Sequence, residues 1–193
     1  MARTEHVLAS SLWMAMQQES EARLRQGRPA AAYDWQDIAR KSLGLWLPDP
    51  ALAPRQAVLA LVYPDVWDFL VWLHQAGLPA ALVTNGWAKN QRPYLASFGW
   101  EPLFPVMVGA ESGWAKPDPR IFSLVPGLGM HIGDRAAHDV LGARRAGIRS
   151  VHLIRQAEPA GGGDVLSPSS ALPDFTATSL QQVPELLRRW QKG

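Results

Sequence analysis

The 193-residue sequence contains no cysteine. That excludes a disulfide framework, a thiolate nucleophile and any Cys-ligated zinc or iron–sulfur centre. It has no excess of charge of one sign: 19 Lys+Arg against 17 Asp+Glu leave a formal charge of +2, too little for an electrostatic nucleic-acid surface. It has no apolar run long enough to span a bilayer, so no membrane helix is expected. Its first residues, Met-Ala-Arg-Thr-Glu-His, lack the apolar stretch and small-residue cleavage site of a secretory leader, which makes a cytoplasmic location the expectation. What is present is ordinary for a folded domain: 47% hydrophobic and 19% charged residues argue against global disorder.

The pattern changes along the chain. Up to about Leu61 there is no strand signal. Val7/Leu8, Leu12 and Ala15/Met16 recur at helical spacing, as do Trp35, Ile38, Ala39, Leu43 and Trp46. Trp13, Trp35 and Trp46 read as hydrophobic packing. Leu47-Pro48-Asp49-Pro50 reads as a linker, so residues 1–61 are expected to form a helical region and 62–193 an α/β core. From Tyr63 onward helices and strands alternate. Pro64 suits a first helical position, Val66, Phe69, Leu70 and Leu73 form one stripe, and Gly77 suits the stop. Leu78–Val83 is continuously apolar, the mark of a strand buried in a parallel sheet. Further strands are predicted at Val106–Val108, around His131–Ile132 and at Ser150–Ile154, with helices over Asn90–Ser97 and Ala137–Ala146. The Gly- and Ser-rich stretch Glu158–Pro173 reads as a loop, followed by an apolar segment near Phe175 and a helix ending at Trp190. Such alternation predicts an α/β domain with a parallel sheet.

Three segments at predicted strand ends carry chemistry, since ligands of open parallel sheets bind there. In Leu82-Val83-Thr84-Asn85-Gly86, the Thr84 hydroxyl and the following backbone N–H groups suit a phosphate or carboxylate oxygen. The same residues also suit a plain turn. In Lys116-Pro117-Asp118-Pro119-Arg120-Ile121-Phe122, the prolines hold Lys116 in one direction, suited to phosphoryl charge; a solvated Lys is the alternative. In His131-Ile132-Gly133-Asp134-Arg135-Ala136-Ala137-His138-Asp139, Asp134 leaves the strand and Asp139 reaches the next helix. Two such carboxylates suit a hard cation such as Mg²⁺, although acids also favour helix starts without any metal.

The order Thr84, Lys116, Gly133-Asp134…Asp139…Gly142-Ala143-Arg144-Arg145-Ala146-Gly147 resembles the second, third and fourth motifs of the haloacid dehalogenase (HAD) superfamily of hydrolases, over about Tyr63–Ile154. The resemblance implies a Rossmann-like parallel sheet core with a small α-helical cap supplied by the first third. It implies that Thr84 and Asn85 bind the substrate phosphoryl group, that Lys116 serves as catalytic and substrate-binding cation, and that Asp134 and Asp139 hold Mg²⁺. The implied activity is hydrolysis of a small phosphorylated metabolite through an aspartyl-phosphate. Carbon–halogen cleavage is disfavoured, since dehalogenases of this superfamily do without the metal. His131 and His138 receive no ligand role. Trp87 and Trp114 suit either packing against the cap or a wall for an aromatic substrate.

One motif of the family has no counterpart. The apolar strand ending in Asp-x-Asp-x-Thr, which carries the nucleophile, should precede the cap, and nothing before Thr84 fits it. Asp34/Asp37, Asp49 and Asp65/Asp68 have the wrong spacing and setting, while Thr4–Ser11 reads as a cap helix. The family places that strand at the sheet centre, between those ending at Thr84 and Asp134. Three expectations follow: a start lying downstream of the real one, a remodelled relative with a strand given by a partner or exchanged in a homodimer, or an atypical strand from the N-terminal segment. The short Ser123–Met130 connection points toward remodelling. Without the nucleophile, the sequence as it stands is expected to be inactive, and a catalytically inactive binding or regulatory protein is the alternative function.

Overall fold

The computed structural model describes residues 2–47, 62–155 and 172–192. The linker prolines at 48 and 50 and most of the 158–173 loop lie outside them.

The N-terminal region is helical: α1 (Ala2–Arg25), α2 (Pro29–Ala32) and α3 (Trp35–Leu43). Local chemistry sets the ends of α3. The Asp34 carboxylate accepts the Asp37 N–H at 3.1 Å, and Gly44 takes the left-handed conformation at φ 65° that ends the helix. Met16, Ile38 and Ala39 bury one apolar seam, flanked by Trp35, Leu43 and Leu47. Beside it lies a buried polar knot, because Arg23 is only 3% exposed. Its guanidinium donates to Glu19 at 2.7 Å, Asp37 at 2.9 Å and the Ala31 carbonyl at 2.9 Å, so the charge is matched where it is desolvated. Trp13 packs at a tilt of 37° against Trp35, with ring centroids 5.1 Å apart. Trp46, expected to pack, is 81% exposed; the apolar seam closes at Leu47 without it.

From Tyr63 the elements alternate as expected: α4 (Pro64–Gln75), β1 (Ala81–Val83), α5 (Ala88–Phe98), β2 (Val106–Val108), α6 (Arg120–Ser123), β3 (Met130–Gly133), α7 (Leu141–Arg145), β4 (Arg149–Leu153), β5 (Phe175–Ala177) and α8 (Val183–Lys192). Leu70 and Leu73 of α4 are buried. The Asp65 carboxylate ties α4 to the far end of the chain, accepting from Arg155 at 2.9 Å, Ser179 at 3.0 Å and the Leu180 N–H at 2.8 Å. The strand predicted over Leu78–Val83 begins only at Ala81, since Pro79 has no N–H to give a ladder.

All pairings are parallel, but they fall into two groups. β1 pairs with β2 in the register Ala81↔Val106, Leu82↔Met107, Val83↔Val108. β3, β4 and β5 pair in that order, with Ile132↔Val151 and Val151↔Phe175. Val151, Leu153 and Ala177 form the core of the larger group. Among the described residues no strand precedes β1, and the N-terminal segment is helix, which overturns the idea of an atypical strand there. The helix predicted over Ala137–Ala146 opens instead with a wide five-residue π turn, Ala136–Val140, before α7. That widened turn swings Asp139 inward, a use π turns commonly serve at functional sites.

Candidate functional site

The ends of β1 and β3 converge on Lys116. Beyond β1, the Thr84 N–H pairs with the Val108 carbonyl at 2.9 Å, and its hydroxyl accepts the Gly86 N–H at 3.0 Å. The turn reading of this segment is therefore realised, and the Thr84 hydroxyl proton is still available to donate. Asn85 clamps the Lys116 peptide from both sides. Its Oδ1 accepts the Lys116 N–H at 2.6 Å, and its Nδ2 donates to the Lys116 carbonyl at 3.0 Å. The same Nδ2 donates to the Tyr33 hydroxyl at 3.0 Å, and Trp87 Nε1 donates to the Ala30 carbonyl at 2.9 Å. The helical region thus meets the sheet region at the rim of this site. Burial raises the Tyr33 hydroxyl pKa, partly offset by Asn85 and the charge of Arg135.

Lys116 points at Asp139. Its Nζ lies 2.5 Å from Oδ1, with the two side chains 13% and 4% exposed. His131, buried on β3, places Nε2 2.8 Å from the same oxygen, and the Arg135 N–H donates to Oδ2 at 3.0 Å. Burial alone would raise the Asp139 pKa. The His131 hydrogen bond and the Lys116 charge outweigh it and hold the carboxyl well below the usual range. Because that carboxylate only accepts, His131 Nε2 carries the proton between them. Gly133 makes the arrangement possible: a Cβ there would lie 2.2 Å from the Asp139 Cγ. Gly142 serves the packing nearby in the same way, since a Cβ there would meet buried Phe122 at 2.7 Å.

Of the residues singled out in the sequence, Asn85, Lys116 and Asp139 are therefore linked at one place, and Thr84 precedes Asn85 with its hydroxyl in its own turn. Asp134 sits just past the end of β3 with its side chain toward solvent, and its carbonyl accepts from His152 at 3.0 Å. Trp87 packs against the helical region, and Trp114 lies under the Arg120 guanidinium at 3.4 Å. Sequence reasoning misses two positions. It gives His131 no role, although that ring braces Asp139. Tyr33 carries no signal, because only the tertiary fold brings it to Asn85, 52 residues away.

An apolar cleft of about 730 Å³ runs from this site between β1 and β3. Its walls include Val66, Leu70 and Leu73 of α4, and both strands along their full length. Lys116, Asp134 and Asp139 lie at the end where the strands finish.

Comparison with known proteins agrees with this geometry. A model of the haloacid dehalogenase-like hydrolases matches residues 17–147. The phosphoserine phosphatase of Thermus thermophilus is 34% identical over 130 residues, covering 63% of this chain and 49% of that protein. The glyceraldehyde 3-phosphate phosphatase of Methanopyrus kandleri is 31% identical over 142 residues, covering 67% of this chain and 58% of that protein. The chain thus spans about half the length of the curated relatives it matches. Among solved structures, a HAD phosphatase from Thermococcus onnurineus superposes with a TM-score of 0.64 at 25% identity, covering 92% of this chain and 86% of that one. The L-2-haloacid dehalogenase of Xanthobacter autotrophicus shares the fold at 23% identity, with a TM-score of 0.64 over 92% of this chain and 84% of that one. No described helix is long and apolar enough to cross a membrane. With the strand-end motifs, their convergence and a family match over most of the chain in agreement, this chain belongs to the haloacid dehalogenase-like hydrolases.

Proposed function

We propose that this chain carries the phosphoryl- and Mg²⁺-binding half of a phosphatase site for a small phosphorylated metabolite. The observation that carries the reading is the clamped, nearly buried Lys116 held between Asn85 and Asp139. An ammonium has three donors, and Lys116 directs one at Asp139, leaving others for phosphoryl oxygens. In the low dielectric of the site that charge offsets a phosphate dianion far better than it would in water. Thr84 donates to a second oxygen, and Asn85 acts by fixing where Lys116 stands. In this reading residues 1–61 form the cap and 62–193 the core, supported by the Tyr33 and Trp87 contacts at the rim. Two of the curated relatives are phosphatases of small phosphorylated compounds by name, which supports the substrate class.

The donor set suits magnesium. That ion takes oxygen ligands and is satisfied by one or two protein carboxylates, the rest being water and phosphate. Asp134 and Asp139 meet that minimum, and three hydrogen bonds leave Asp139 about one of its roughly four lone-pair sites. Among the described residues no group of three His, Asp or Glu side chains is placed to hold a metal, so substrate oxygens would complete the shell. When bound, Mg²⁺ would neutralise phosphate charge. The chain's own residues bind, orient and neutralise, but none attacks: the sequence contains no Asp-x-Asp, and turnover by an aspartyl-phosphate needs a further carboxylate.

Calorimetric titration of the 193-residue chain with orthophosphate tests this. Saturable binding that strengthens with Mg²⁺ is expected, weakened at least about tenfold by Thr84→Val or Lys116→Met, the loss of one charge-assisted hydrogen bond. Equal affinity in wild type and both variants would refute the assignment.

A further inference from the structure

We infer that Tyr33, contributed by the helical region, is a positioning residue for Lys116: its hydroxyl anchors the Asn85 amide, and that amide fixes the Lys116 backbone. The inference rests on the reading above that Lys116 is the cation of a phosphoryl site. Tyr33 itself is assigned no contact with a ligand.

The Asn85 amide offers two N–H groups and one carbonyl oxygen, and each is engaged. Oδ1 accepts the Lys116 N–H at 2.6 Å, while Nδ2 donates to the Lys116 carbonyl and to the Tyr33 hydroxyl, both at 3.0 Å. Three separate stretches of chain therefore meet on one side chain. They are the turn after β1, the segment after β2 that carries Lys116, and the junction of α2 and α3. The two bonds to Lys116 tie one loop to another but leave the pair free to shift together. The third runs to a residue seated elsewhere and gives that pair a fixed reference.

Tyr33 is built to be such a reference. It follows α2 directly, and the next residue, Asp34, caps α3, so helices set its backbone on both sides. Its ring meets Trp35 edge-on with centroids 6.5 Å apart, and Trp35 packs on the seam of Met16, Ile38 and Ala39. The consequence falls on the ammonium. The Lys116 stem runs from the clamped peptide to Asp139, whose Oδ1 lies 2.5 Å from Nζ. A shift of the peptide moves the root of that stem, so the ammonium keeps its place only while both ends are held.

A second bond across the same boundary separates positioning from simple docking. Trp87 Nε1 donates to the Ala30 carbonyl at 2.9 Å, joining the helical region to the same turn by a bond that does not involve the Asn85 amide. If Tyr33 only held the helical region down, losing either bond would loosen Lys116 alike.

Amide hydrogen exchange read by NMR on the 193-residue chain tests this, because the Lys116 N–H is itself half of the clamp. Tyr33→Phe removes one oxygen and keeps the ring. It should speed exchange at the Lys116 amide by about three- to tenfold, the loss of one hydrogen bond. The β4 amides should be unchanged, and Trp87→Phe should leave the Lys116 amide at its wild-type rate. Unchanged Lys116 exchange in Tyr33→Phe would overturn the inference. So would equal acceleration in both variants, or acceleration spread through β4, which would make Tyr33 a general support of the fold. Calorimetry with orthophosphate on the same samples adds a second readout. Where the wild type binds, Tyr33→Phe should weaken binding about threefold or more, and an unchanged affinity would overturn the inference. If the wild type binds no phosphate, the phosphatase reading fails, and the exchange comparison still decides whether Tyr33 positions Lys116.

Discussion

Replacing Asp139 by Asn removes one charge and almost no volume, so it isolates what the carboxylate does for Lys116. The two side chains are 13% and 4% exposed, which places the pair among buried rather than surface ion pairs. Deleting one partner of such a pair leaves the other charge desolvated and unmatched, at about 3–5 kcal/mol. That is a large share of a typical domain stability of about 5–15 kcal/mol. Lys116→Met should cost less, about 1.5–3 kcal/mol, because Asp139 keeps the His131 and Arg135 N–H bonds. The double variant carries no orphaned ammonium, so it should be more stable than the sum of the single losses by about 2 kcal/mol or more. Urea unfolding reads all three. At a slope of about 2 kcal/mol/M, Asp139→Asn should lower the midpoint by about 2 M. A loss below about 1 kcal/mol for Asp139→Asn, or single losses that add within about 0.5 kcal/mol, would refute the buried-pair reasoning.

Gly133→Ala should destabilise by at least the 1–3 kcal/mol or so usual for overpacking, and should also abolish phosphate binding, because the new Cβ falls 2.2 Å from the Asp139 Cγ and must push that carboxylate off Lys116. Thermal unfolding and calorimetry on one sample check both effects, and wild-type values for both would contradict them. Acid should weaken the fold. The carboxyls of Asp139, Asp65 and Asp174 are held low in the native state despite burial, by His131 and Lys116, by Arg155 and by the Ser150 N–H respectively. Asp37 is held low first by Arg40. The unfolded chain therefore binds more protons below the ordinary carboxylate value of about 3.9, so the urea midpoint should hold steady above about pH 5 and fall progressively below about pH 4. A midpoint that rises on acidification would show the sign to be wrong.

Much of the fold is legible in the sequence because its signals are local. Pro64 and Gly77 bracket α4, Val106–Val108 is β2 as predicted, and Gly133-Asp134 marks the end of β3. No strand signal is read up to about Leu61, and no strand is found before β1 among the described residues. What escapes the sequence depends on residues far apart. That Asn85 clamps the Lys116 peptide is set by a loop 31 positions on, which no local pattern at Asn85 reveals. His131 reads as one more strand residue, because inward and outward faces of a short strand cannot be told apart without the helices that cover it. Trp46 shows the limit of periodicity: it keeps helical spacing with Leu43 yet lies past the Gly44 stop, where the helix no longer aims it inward.

The most direct test of the site is a single ³¹P NMR experiment on the 193-residue chain with Mg²⁺ and p-nitrophenyl phosphate. In the proposed function Thr84, Lys116 and the Asp134/Asp139 pair bind and neutralise a phosphoryl group, and the sequence has no Asp-x-Asp to attack it. The expected spectrum therefore shows the ester resonance broadening saturably with protein while no inorganic phosphate accumulates. An ester resonance as sharp as in buffer would contradict the binding assignment, and a growing phosphate signal would contradict the absence of a nucleophile.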